Sequence, residues 1–152
     1  MKLAEALKER SDCIKKIDML RERLRSNCLV QEGEAPDEDP AALLAEHDAA
    51  ISRLEQLMAT INRANSSTLA GGKTITEWIA KKDTLQMQYR SYRQLIEAAS
   101  GKVDRARGSE IRIRSTVNMR ELLKKADRIA AEYRRIDNLL QQTNWTTELE
   151  GL

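Results

Sequence analysis

Three groups of residues in this chain have the types and spacing to do chemistry. Glu32, Glu34, Asp37, Glu38 and Asp39 crowd five carboxylates into eight positions, a donor set suited to a hard cation such as calcium. Their order does not reproduce the Asp-x-Asp-x-Asp-Gly pattern of a calcium loop, and Pro36 interrupts it. The reading adopted is a solvated turn whose carboxylates favour the start of the next helix, with no metal or other cofactor bound. The second candidate is His47, the single histidine. A general base there needs a carboxylate on its own face, and its neighbours Glu46 and Asp48 point elsewhere on a helix, so a packed or interface histidine is expected.

The third group is basic: Lys102, Arg105, Arg107, Arg112 and Arg114, offset by Asp104 and Glu110 and loosened by Gly101, Gly108 and Ser109. Such a segment can track a phosphate backbone, although it has no aromatic side chain for base stacking. The competing reading is a solvated loop leading to an edge strand protected by its arginines. Cys13 and Cys28 are fifteen residues apart on one expected helix, about 22 Å at the helical rise. A disulfide requires roughly 4.4 to 6.8 Å between Cα atoms, so buried or half-buried free thiols are expected. No Ser-His-Asp grouping, phosphate-binding glycine loop or GxGxxG accompanies these groups, and no enzymatic activity is expected.

The elements that position them are helical. The 152 residues include no Phe, two Pro and six Gly, and 33% are charged, the composition of long helices with solvated outer faces and an aliphatic core. Twenty-six basic and twenty-four acidic residues nearly cancel, so any electrostatic partner must be met locally. The first residues reach charge at once and no apolar stretch has the roughly 18 residues of a spanning helix, which predicts a cytoplasmic protein without a membrane segment.

Apolar residues alternate by threes and fours in four stretches. The first helix is expected over about Leu3 to Asn27, on Cys13, Ile17, Leu20 and Leu24. The second runs from Pro40 to Asn65, with Asp39 as N-cap, on Leu43, Leu44, Ala50, Ile51, Leu54, Leu57, Met58 and Ile61. Ser66-Ser67 and Gly71-Gly72 end it. The third opens with Thr74 and Glu77 as a capping box and carries Ile75, Trp78, Lys82, Leu85, Tyr89, Tyr92, Ile96 and Ala99, with Lys82 the one charged member of its seam. The fourth runs from an Asn118 cap to about Thr143, followed by a tail with an exposed Trp145. Glu110 to Val117 alternates with period two and reads as a strand; its expected partner is Leu29 to Glu32 in the first connection.

The halves repeat. Leu3, Cys13, Ile17 and Leu20 stand 72 residues before Ile75, Leu85, Tyr89 and Tyr92, while Leu43, Leu54, Leu57 and Ile61 stand 79 before Leu122, Tyr133, Ile136 and Leu140. The expected fold is mainly α: one domain over 1–152, an elongated antiparallel four-helix bundle of two hairpins, about 1–68 and 74–147, with a small two-stranded β element at one end.

Met1-Lys2-Leu3-Ala4-Glu5-Ala6-Leu7, Val30-Gln31-Glu32-Gly33-Glu34 with Asp39-Pro40, Ile61-Asn62, Ser109-Glu110-Ile111 and Asn144-Trp145-Thr146-Thr147-Glu148-Leu149 together resemble the septicolysin-like, or DIP-type, family of bacterial helical proteins. The resemblance spans nearly the whole chain. It implies a cytolytic activity through the family name and brings no catalytic residues with it; neither the export signal nor the amphipathic membrane hairpin of a toxin is expected from the residues. The residues themselves point to an oligomeric scaffold or binding module, most simply a homodimer, acting through its loop end. Its expected interaction surface is Glu32, Glu34, Arg105, Arg107, Arg112 and Arg114, which serves a protein partner or, as the alternative function, nucleic acid through 102–114.

Overall fold

The computed structural model describes residues 1–100 and 113–150. Four long helices account for most of them: α1 (Leu3–Asn27), α2 (Pro40–Ser67), α3 (Ile75–Ser100) and α4 (Met119–Thr146), with one antiparallel pair of short strands, β1 (Leu69–Ala70) and β2 (Lys73–Thr74). The chain divides into two compact units. One comprises Met1–Ile75 with Gln141–Leu152, the other Thr76–Leu140.

Local chemistry sets the helix boundaries. The Glu5 carboxylate accepts from the Lys2 backbone N–H at 2.7 Å at the start of α1. Asp39 accepts from the Ala41 N–H at 3.0 Å, with Pro40 in the first position where its missing donor is harmless. Asn118 Oδ1 accepts from the Glu121 N–H at 3.2 Å and opens α4.

Each helix buries one stripe with three-four spacing. Residues 3, 6, 10, 13, 17, 20, 24 and 27 of α1 are buried or half-buried, and so are 75, 78, 82, 85, 89, 92, 96 and 99 of α3, each 72 further on. The same holds for 43, 47, 50, 54, 57, 61 and 64 of α2 and their counterparts in α4, each 79 further on. The repeat read from residue types is therefore a repeat of burial. The stripe on α2 is narrower than its apolar content suggested, because Leu44, Ile51 and Met58 remain about half exposed beside it.

In the first unit α1 and α2 are antiparallel. Glu9 pairs with Arg53, Lys16 with Glu46 and Arg23 with Glu38, so each step of seven along α1 moves seven or eight residues back through α2 to the segment just before it. The last residues of the chain close this unit. The Leu3 N–H donates to the Thr147 carbonyl at 2.9 Å and the Leu149 N–H to the Met1 carbonyl at 2.8 Å, forming an isolated antiparallel bridge at Lys2 and Glu148 and burying Leu149. In the second unit, residues early in α3 meet residues late in α4: Lys82 bonds Asp137, and the Arg135 guanidinium lies 5.7 Å from the Trp78 ring centre.

The expected β pairing is corrected. Leu29–Glu32 and residues 113–117 carry no strand, and residues 110–112 of the proposed second strand lie outside the described residues. The two strands instead flank Gly71-Gly72, whose φ angles of 57° and 84° give both turn residues the left-handed backbone of a type I′ hairpin. The Ile75 N–H then donates to the Thr68 carbonyl at 3.1 Å, which joins the hairpin to the start of α3. Gly71-Gly72 thus supplies a specific tight reversal, where the sequence reading assigned it only the end of a helix.

Candidate functional site

Most lysines and arginines of the first unit are paired with its carboxylates. Arg53 grips Glu9 with two bonds, 2.7 and 3.1 Å, and its guanidinium holds that carboxyl below the usual carboxylate range against an opposing effect of burial. Lys16 lies 2.8 Å from Glu46, and Arg23 forks onto Glu38; both acids are lowered chiefly by the hydrogen bond each accepts. Lys2 does the same for Glu148 across the terminal bridge. Heptad spacing of opposite charges at 9, 16, 23 and 53, 46 was the sequence signal for this ladder.

The acidic cluster is divided by these contacts. Glu38 belongs to Arg23 and also donates its backbone N–H to Asn27 Oδ1 at 2.9 Å, while Asp39 is the α2 cap. Glu32 and Glu34 are exposed and make no ion pair; the Glu34 N–H closes a turn onto the Gln31 carbonyl at 3.0 Å. Among the described residues no three His, Cys, Asp or Glu side chains are grouped to hold a metal ion. His47 occupies the buried stripe of α2, half-buried, with Nδ1 3.2 Å from Asp48 Oδ1. That contact is between chain neighbours, and no nucleophile joins it. Cys13 and Cys28 are both free thiols. Cys13 is half-buried as expected, but Cys28 is exposed because α1 ends one residue before it.

In the second unit Lys82 has the half-buried seam position that its spacing predicted. Its Nζ bonds Asp137 Oδ1 at 3.0 Å and stands 5.9 Å from the Tyr133 ring centre. The ammonium is therefore held by a carboxylate and an aromatic face, a register device more than a reactive amine. Arg114 is exposed; Arg105, Arg107 and Arg112 lie outside the described residues.

Unpaired basic charge is also present on α4. Arg120, Lys124, Arg128 and Arg134 are exposed on α4, on the side away from its buried stripe, and none of them makes an ion pair or side-chain hydrogen bond. The sequence reading did not single them out, because mixed charge on a helix surface is the ordinary solvated pattern; a count of basic against acidic residues on that one face would have found them.

These features define a mainly helical protein whose polar side chains order helices, and among the described residues no helix is long and apolar enough to cross a membrane. Residues 10–149 match DUF6847, a family of unknown function, and the chain belongs to that family. It is similar to a solved structure, the crystal structure of a functionally unknown conserved protein from Corynebacterium diphtheriae, at 36% sequence identity over 99% of each chain with a TM-score of 0.88. A search of curated proteins returns no match.

Proposed function

We propose that this chain is a non-catalytic, self-associating helical module that binds through its surface. The observation that carries the reading is at one end of the first unit, where Trp145 is 61% and Leu69 68% exposed. The Leu3–Thr147 bond sets the end of α4 beside the first turn of α1, and the antiparallel α1–α2 pair brings the β1–β2 hairpin to that same end. An exposed tryptophan and an exposed leucine at one end of the unit are side chains of the kind that interface centres use. Two large side chains cover far less than the roughly 800 Å² per partner of a standard interface, so the contact with a second copy is weak and reversible. Sedimentation velocity from micromolar to near-millimolar protein tests it. The expected result is a concentration-dependent dimer that Trp145→Ser abolishes with the helical circular dichroism retained. A monomer throughout overturns the proposal, as does a dimer indifferent to Trp145→Ser.

A further inference from the structure

The two units differ in charge. Residues 76–140 hold fifteen basic and nine acidic side chains, while the remainder of the chain holds eleven basic and fifteen acidic. In the first unit most lysines and arginines are paired with carboxylates, whereas in the second, among the described residues, only Lys82 and Arg135 have ion pairs. Of the nine described lysines and arginines of this unit that make no ion pair, five are on α4: Arg120, Lys124, Lys125, Arg128 and Arg134. Arg120, Lys124 and Arg128 follow one another at four-residue intervals along about 12 Å of helix, with Arg134 farther along, Glu121 and Asp127 exposed among them and Glu132 committed to Arg135.

The repeat supplies an internal control. At the 79-residue offset that superposes the buried stripes of α2 and α4, Arg120, Lys124 and Arg128 correspond to Ala41, Ala45 and Ala49, all three exposed. Alanine is the best helix former, so nothing in helix formation or in the shared seam demands a cation at these positions. Arg120 is unfavourable for the helix itself: it stands in the first turn of α4, where the positive end of the macrodipole repels it. Three cations are thus maintained where the other half of the chain does without them and where one opposes its own helix.

We propose that the outer face of α4 is a binding site for the phosphate backbone of nucleic acid, with Arg120, Lys124 and Arg128 as its primary contacts and Arg134 as a flanking one. A row of cations on a rigid helix, with no aromatic side chain among them and no cleft around them, reads charge and not base sequence. Binding is therefore non-specific, in the micromolar range or weaker, and strongly dependent on salt. The site shares no residue with the self-association end and does not depend on it.

The test is fluorescence anisotropy with a labelled duplex DNA of mixed sequence, titrated at several salt concentrations. Wild type is expected to bind with a logarithmic salt slope of about −3 to −4, from three or four phosphate contacts at about 0.9 each. The variant Arg120→Ala/Lys124→Ala/Arg128→Ala places the residues of α2 on α4, so it keeps helix propensity and is expected to retain its circular dichroism. It should bind at least tenfold more weakly at low salt, with the slope reduced by about 2.7. The control Lys15→Ala/Arg21→Ala/Arg25→Ala removes the same charge from paired positions on α1 and should leave binding within about twofold. Equal weakening by both triple variants overturns the proposal, because net charge alone would then explain the affinity. So does salt-independent binding, no binding at low salt, or binding to phosphatidylserine vesicles with none to DNA.

Discussion

Removing the carboxylate of Asp137 should cost far more than removing the ammonium it holds. Lys82 is the charged member of an otherwise uncharged seam, its side chain 26% exposed and that of Asp137 32%, with 3.0 Å between Nζ and Oδ1. At a separation near 4 Å and an effective dielectric of about 20 the attraction is about 4 kcal/mol, most of it offset by partial desolvation and lost side-chain freedom. A coupling of about 1.5 kcal/mol remains, with about 0.5 kcal/mol added by the Tyr133 ring. Asp137→Ala strands an ammonium in the seam and should cost about 2 kcal/mol, a fall of about 4 to 8 °C in Tm for a chain of this length. Lys82→Met restores an apolar seam and should be neutral within about 0.5 kcal/mol. Urea unfolding read from Trp78 in a Trp145→Phe background follows the second unit, and the double variant completes the cycle. Lys82→Met costing as much as Asp137→Ala, or a coupling below about 0.3 kcal/mol, would refute the reasoning.

Three further outcomes follow from the same geometry. Met58 is the counterpart of Asp137 at the 79-residue offset, as Arg10 is of Lys82, and half-buried Arg10 makes no ion pair. Met58→Asp should therefore be neutral or stabilise by up to about 1 kcal/mol, whereas Ile51→Asp should destabilise; thermal melts of the two distinguish a repeated geometry from a repeated pattern alone. Glu9, Glu38, Glu46, Glu132 and Glu148 all have their pKa lowered below the ordinary carboxylate value by basic partners. A carboxyl with a depressed folded-state pKa contributes its full stability above the unfolded value and loses it as pH falls through the folded one. Tm should thus be flat with respect to these pairs above about pH 5 and drop below about 4.5, with a smaller drop in high salt. Gly72→Val should destabilise by more than about 1 kcal/mol although no atom lies within 4 Å of the added Cβ, because φ of 84° excludes a β-branched residue; Gly71→Asn, at φ of 57°, should be tolerated, and paired melts check the contrast.

Much of the architecture was legible before any coordinate. The α1 bounds and the starts of α2 and α4 agree with the residue pattern, because a 3.6-residue period and a capping side chain are local signals carried by neighbours in sequence. All eight expected seam positions of α3, Ile75 through Ala99, are buried or half-buried. The β element was expected but assigned to the wrong residues. Strands of two residues have no period to detect, while Ile113 stands between arginines in an alternating pattern without being part of a strand. The candidate site was less legible still. The acidic run Glu32 to Asp39 looked like one group until Arg23 took Glu38 and the start of α2 took Asp39.

The sequence by itself determined the four helices, their buried faces and the repeat between the halves, since each depends on periodicity within about thirty consecutive residues. Only the tertiary structure decided which charges are spent and which are free. An ion pair joins residues distant along the chain, as Glu9 joins Arg53 and Lys82 joins Asp137, so its existence is a property of helix register and not of either segment. Arg120, Lys124 and Arg128 stand out for that reason: their type was visible from the start, and their lack of an ion-pair partner among the described residues became visible once the helices had been placed.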